Sequence, residues 1–230
     1  MNRNKKIIIN TKLVKIKDLH KSCSWAIRNL KNTLKQNKVF SKTKSTKYKY
    51  SSDNIIYLAT KDSDLSKILP KNNFLPLDPE SFALIPILYL SKKIIIAYGA
   101  DSRGLVYALT ELSDRFLNNT NKNNYFNIKN KIIERPVTKI RSISKCFESN
   151  IEDLKWFHNR VMWRKYLSML VTQRFNRFTL TFGMQYNYPY GNEFITDVYL
   201  YLAYPFLVSP KGYNIYAEGL SNKERNKNLQ

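Results

Sequence analysis

The sequence predicts an α/β protein with two parts: a small α+β domain over residues 1–135, and a parallel βαβ unit that opens a second domain over residues 136–230. Three observations predict this. From Pro136 to Gly183 an apolar run (Val137 to Ile143) leads into a long helical pattern, then a second apolar run (Arg177 to Gly183). In the helical pattern Leu154, Phe157, Val161, Leu167, Leu170 and Val171 recur mostly at three- and four-residue steps, so they share one stripe. Ahead of it, short strand-like runs surround a separate amphipathic helix, and the Asn/Lys-rich stretch Asn118 to Asn130 divides the two parts.

In chain order, residues 1–17 alternate apolar and basic and read as an edge strand whose Lys side chains discourage further pairing. Ser22 or Ser24 is expected to cap a helix through Trp25, Ile27, Leu30 and Leu34. Val39 to Ser52 is polar and without period, so it reads as a surface loop. Asn54 to Thr60 suits a buried strand, and the turn-rich segment after it holds Asp62, Asp64, Pro70, Pro76 and Pro79. Ser81 to Leu90 and Lys93 to Tyr98 are expected to form a hairpin. Gly99 to Gly104 then turns into a helix with Leu105, Val106, Leu109, Leu112 and Phe116 inward, capped by Asp101 or Ser102.

A strand, a glycine turn and a helix could cradle a phosphate at the helix N-terminus. Here there is no GxGxxG and no GK[ST], and Asp101 would repel an anion. The structural reading is preferred: Gly99 for a positive-φ turn, Gly104 for close packing of the helix. Near the end, Ser221 with Glu224 forms a capping box at the start of a short helix.

The net charge of +22 raises nucleic acid or an anionic surface as partners. The Lys residues are dispersed along the chain and no aromatic-plus-basic module is recognisable, so a solvated, Lys-rich surface is preferred and nucleic acid is kept as the alternative. Cys23 and Cys146 make no CxxC pair and no zinc-type cluster with His20 and His158, so no metal and no cofactor is expected. No apolar stretch approaches a membrane span, and Ile7 to Ile9 is too short for a signal-peptide core. The expectation is a cytoplasmic protein without a membrane partner.

The stretch Ile94 to Leu112, with its strand, glycine turn and Gly104-Leu105-Val106-Tyr107-Ala108 helix start, resembles the small αβ domain that precedes the catalytic barrel in β-N-acetylhexosaminidases and α-glucuronidases. Pro136, Ile140-Arg141, Trp156, Trp163, Tyr166-Leu167 and Arg174 to Phe178 are similar to the opening of their (β/α)8 barrel. The resemblance implies an incomplete TIM barrel, a glycosidase activity and a carbohydrate substrate. It implies that Arg141, on the first barrel strand, holds sugar hydroxyls through its fork of donors, and that Asn176 fixes the start of the second strand. Gln185, Tyr186 and Asn187, in the loop after that strand, are expected to stack on and bind sugar. Hexosaminidases tend to have an Asp shortly after the Arg and a His at the end of the second strand. Here Lys145-Cys146 and Thr181-Phe182-Gly183 stand there, which favours an α-glucuronidase-like branch.

Glycoside hydrolysis needs two carboxyl groups, or one with a substrate-assisting group. Glu148, Glu152, Asp153, Glu193 and Asp197 are present without an evident pairing, so no catalytic residue is assigned. A full barrel needs about 200 residues or more. The expectation is therefore an N-terminal portion, inactive alone, whose open strands could pair with a missing C-terminal chain.

Overall fold

The computed structural model describes residues 6–14, 20–44, 54–66, 68–69, 74–89, 92–118, 128–147, 150–182 and 221–229. The fold is mixed α/β, and the chain divides into two compact units, Met1–Lys139 and Ile140–Gln230.

The first unit contains β1 (Lys6–Asn10), α1 (Lys21–Gln36), β2 (Phe40–Lys44), β3 (Asn54–Thr60), β4 (Phe82–Tyr89), β5 (Lys92–Gly99), α2 (Ser102–Leu117) and β6 (Ile132–Glu134). Its six strands run in the order β2-β1-β3-β5-β4-β6. β2, β1, β3 and β5 are mutually parallel, and β4 pairs antiparallel with β5 and β6.

β1 therefore lies inside the sheet, not at its edge. Ile7, Ile8 and Ile9 are at most 1 % exposed, which only a strand covered on both faces allows. Burying each such side chain stabilises the unit by about 1.5–3 kcal/mol, more than the basic flank contributes. The edge position goes to β2, the segment expected as a loop. Its sequence Phe40-Ser-Lys-Thr-Lys44 has the charged character of a protected edge. The expected hairpin forms, and Pro86 sits in it without disruption: β6 pairs only with Phe82 to Leu84, so the missing N–H faces no ladder partner there.

α1 and α2 pack side by side on one face of the sheet. The other face is covered by the turn-rich segment, through Leu65 and Leu69 against Ile55, Ile94, Ile96 and Tyr98. The cap of α1 is His20, not Ser22 or Ser24: its Nδ1 accepts the Ser22 N–H at 3.3 Å. The cap of α2 is Asp101, as one of the two expected alternatives.

The second unit contains β7 (Ser142–Phe147), α3 (Asn150–Phe157), α4 (Arg160–Thr172), β8 (Arg177–Phe182) and α5 (Asn222–Leu229). β7 and β8 pair in parallel, from Ser142 opposite Arg177 to Phe147 opposite Phe182. The first strand begins at Ser142, five residues later than expected, because Val137 to Lys139 are bends. The single long helix is two helices. Asn159 separates them, its Oδ1 accepting the N–H groups of Val161 at 3.1 Å and Met162 at 3.0 Å. Ser221 and Glu224 form the expected capping box: Ser221 N–H donates to Glu224 Oε2 at 2.8 Å, and Glu224 N–H to Ser221 Oγ at 3.3 Å.

Candidate functional site

In parallel α/β units, ligands gather at the carboxyl ends of the strands, where the loops open outward. Among the described residues, the turn after β5 in the first unit and the rim after β7 and β8 in the second are such places.

The turn after β5 is filled by its own chain. Asp101 Oδ1 accepts the Gly104 N–H at 2.8 Å, and its Oδ2 accepts the Glu80 N–H at 3.0 Å. Glu80 in turn pairs with Arg103 at 2.7 Å. A carboxylate thus sits on the positive end of α2, where a phosphate would have to lie. The two glycines serve packing. A Cβ on Gly104 would fall 2.1 Å from Ser81 O, and one on Gly99 would fall 2.0 Å from Leu105 N. The φ of Gly99 lies outside the left-handed region, so space and not conformational freedom requires it. Beside this turn Cys23 Sγ donates to Ser102 O at 3.4 Å, and burial pushes its thiol pKa up, which leaves it a poor nucleophile.

In the second unit the two strands have distinct faces. Ile143, Lys145, Phe178 and Leu180 are half-buried on one side. There Phe178 meets Trp163 and Tyr166 edge-on at centroid distances of 5.7 and 5.9 Å, and Trp156 meets Trp163 at 5.5 Å. Lys145 Nζ lies 4.0 Å from the Trp156 ring centroid, a cation–π contact. The indole N–H groups are both used: Trp156 Nε1 donates to Asp153 at 2.6 Å and Trp163 Nε1 to Phe157 O at 2.7 Å. The aromatic residues that carried the sequence resemblance are therefore the packing between strands and helices.

The opposite face carries Ser142, Ser144 and Cys146 on β7, in register with Arg177, Thr179 and Thr181 on β8. All but Thr181 are exposed. Hydroxyls, a thiol and a guanidinium make this face a set of hydrogen-bond donors and acceptors with one cation. Cys146 and Thr181 stand opposite each other one residue from the carboxyl ends of their strands. The alternation along Ser142-Ile-Ser-Lys-Cys146 is the signal in the sequence for this face.

Arg141 lies at the other end. It precedes β7, donates its backbone N–H to Asn176 Oδ1 at 2.9 Å, and its Nε to Arg174 O at 2.7 Å. Asn176 returns a bond from its own N–H to Arg141 O at 3.0 Å. These contacts join the amino ends of the two strands, away from the rim. Gln185, Tyr186 and Asn187 lie outside the described residues, as do Glu148, Glu193 and Asp197. Asp153 is engaged by Trp156. Among the described residues no three His, Cys, Asp or Glu side chains group as a metal site, and no helix is long and apolar enough to cross a membrane.

The arrangement is similar to parts of glycoside hydrolases of known structure. A GH138 enzyme targeting pectin rhamnogalacturonan II aligns over 77 % of this chain and 19 % of its own, with 18 % identity and a TM-score of 0.54. A family GH115 4-O-methyl-α-glucuronidase with specificity for decorated arabinogalactans aligns over 76 % of this chain and 25 % of its own, with 12 % identity and a TM-score of 0.54. No family model matches the sequence. No curated protein matches it either. The chain thus spans a quarter or less of these two enzymes, and the likeness is one of fold. A glycoside-hydrolase-like fold is what they share.

Proposed function

We propose that this chain is the N-terminal portion of a carbohydrate-active glycoside hydrolase, α-glucuronidase-like or hexosaminidase-like, in which residues 136–230 open a (β/α)8 barrel. One observation carries the reading. A mixed six-stranded unit and then a parallel βαβ unit, in that order, align together with a GH138 enzyme over 77 % of the chain. The polar outer face of β7 and β8 supports it further. A sheet of two strands with helices on one side and, among the described residues, nothing packed on the other suits an opening slice of a larger sheet better than a free-standing core.

In this reading sugar is met at the carboxyl rim. Gln185, Tyr186 and Asn187 follow β8 directly in sequence and would supply stacking and hydroxyl contacts. Arg141, at the amino ends, acts as a positioning residue that holds the strands in register. The acid pair that glycoside hydrolysis requires would come from further strands, so residues 1–230 alone are expected to be inactive.

Incubating the purified 230-residue chain with aryl glycosides and an aldobiouronic acid tests this. No release of product is expected, and turnover by this chain alone overturns the assignment of the acids to later strands. Coding sequence beyond the Gln230 codon that specifies further βα units with paired carboxylates supports the barrel. Coding sequence specifying an unrelated fold removes it.

A further inference from the structure

We propose that the exposed face of α1 is a docking surface for an acidic polysaccharide. The choice of a glycan as occupant rests on the carbohydrate-active reading above; the choice of a polyanion rests on charge alone.

Four cations and no acid stand on α1: Lys21, Arg28, Lys31 and Lys35. At about 100° per residue all four fall within one arc of about 80°, opposite the buried Cys23, Ala26, Leu30 and Thr33. Lys21, Arg28 and Lys35 are exposed. None of the four is in an ion pair with a described carboxylate. The neighbouring helix is built differently. α2 carries Arg103, Glu111, Asp114 and Arg115, and its two cations are paired, Arg103 with Glu80 and Arg115 with Glu111, each at 2.7 Å. Of these two packed helices, α1 alone presents cations outside ion pairs with described carboxylates.

Like charges crowded on one face repel each other and are relieved by an anionic partner. The groups that stand beside them choose between polyanions. Among and beside the cations stand Ser24 and Asn32, whose hydroxyl and amide groups both donate and accept. That mixture fits a chain that carries hydroxyls beside its carboxylates. A single half-buried ring, Trp25, is the aromatic content of the helix, against the row of stacking platforms that single-stranded nucleic acid uses.

Fluorescently labelled alginate, titrated with the full chain and followed by anisotropy, provides the test, with labelled dextran as the neutral polymer. Alginate is expected to bind and dextran not. The triple variant Arg28→Gln, Lys31→Gln, Lys35→Gln is expected to weaken alginate about tenfold or more. The variant Lys155→Gln, Arg160→Gln, Arg164→Gln removes the same charge from the second unit and is expected to leave binding near wild type. Equal loss in both variants overturns the proposal in favour of diffuse attraction. If circular dichroism shows that the α1 variant does not fold, the wild-type chain decides: alginate must displace a bound oligothymidylate at equal salt. Failure to do so overturns the glycan in favour of nucleic acid. The titration reads binding, so a failed glycosidase assay and a failed alginate titration remain separate results.

Discussion

Asn176 and Arg141 exchange two backbone-anchored hydrogen bonds across the amino ends of β8 and β7: Arg141 N–H to Asn176 Oδ1 at 2.9 Å, and Asn176 N–H to Arg141 O at 3.0 Å. Without the side-chain acceptor, the half-buried Arg141 N–H loses its partner. Asn176→Ala is therefore expected to destabilise the second unit by about 1–2 kcal/mol. Asn176→Asp keeps an acceptor in place and is expected to lose less. Urea unfolding followed by tryptophan emission separates the two, since Trp156 and Trp163 both lie in this unit.

Gly99 and Gly104 leave no room for a methyl group, and in both cases the obstructing atoms are backbone, at 2.0 and 2.1 Å. Backbone cannot step aside as a flexible side chain can. Gly99→Ala and Gly104→Ala are each expected to destabilise the first unit by about 3 kcal/mol or more. A urea midpoint within error of wild type for either variant would contradict the close approach of α2 to the sheet.

Lys38 has φ 58°, just beyond the end of α1, and is exposed. A glycine adopts that conformation without the Cβ strain. Lys38→Gly is expected to stabilise the protein by about 0.5–1 kcal/mol, read as a rise in the thermal midpoint. Lys38→Ala, which keeps the Cβ, is the control and is expected to show no such rise.

The two thiols differ in environment: Cys146 is exposed and Cys23 buried. A disulfide-exchange reagent at mildly alkaline pH is expected to titrate one thiol quickly, and the second only in denaturant. Burial also raises the pKa of Cys23 above its usual 9.0, and raises that of Tyr98. Both groups are neutral when protonated, so the folded state holds its protons more tightly than the unfolded chain. Their contribution is fully present below the unfolded values and is lost as pH climbs through the folded ones. Stability of the first unit is expected to fall above pH ~9. A urea midpoint that stays flat from about pH 8 to about pH 11 would contradict it.

The elements most legible in the sequence were those with a single dominant signal. β3 is a run of apolar residues between turn residues, and its bounds were read directly as Asn54 to Thr60. The β4–β5 hairpin is legible in the same way, and Asp101 is one of two candidate caps of α2. β1 was found but misplaced, because flanking Lys residues mark an edge only when the strand between them is half-exposed, and Ile7 to Ile9 are not. β2 carried no signal: apart from Phe40 its residues are small or charged, and pairing with β1 alone makes it a strand. The break between α3 and α4 went unread because the apolar stripe continues across it, while the Asn159 side chain ends the hydrogen-bond ladder.

The site was less legible than the fold. Arg141 was read onto a strand because Val137 to Ile143 has strand-like composition; the bends at Val137 to Lys139 shift the strand and leave Arg141 at its foot. The paired polar residues Cys146 and Thr181 were missed because a two-residue alternation identifies a face only once the partner strand and its register are known.

The place of β1 between β2 and β3 has a consequence for synthesis. Both of its neighbours follow it in the chain, in strands ending at Lys44 and Thr60. Until the later of these is outside the exit tunnel, three consecutive isoleucines have at most one neighbour. That interval is when a ribosome-associated holdase would find its grip.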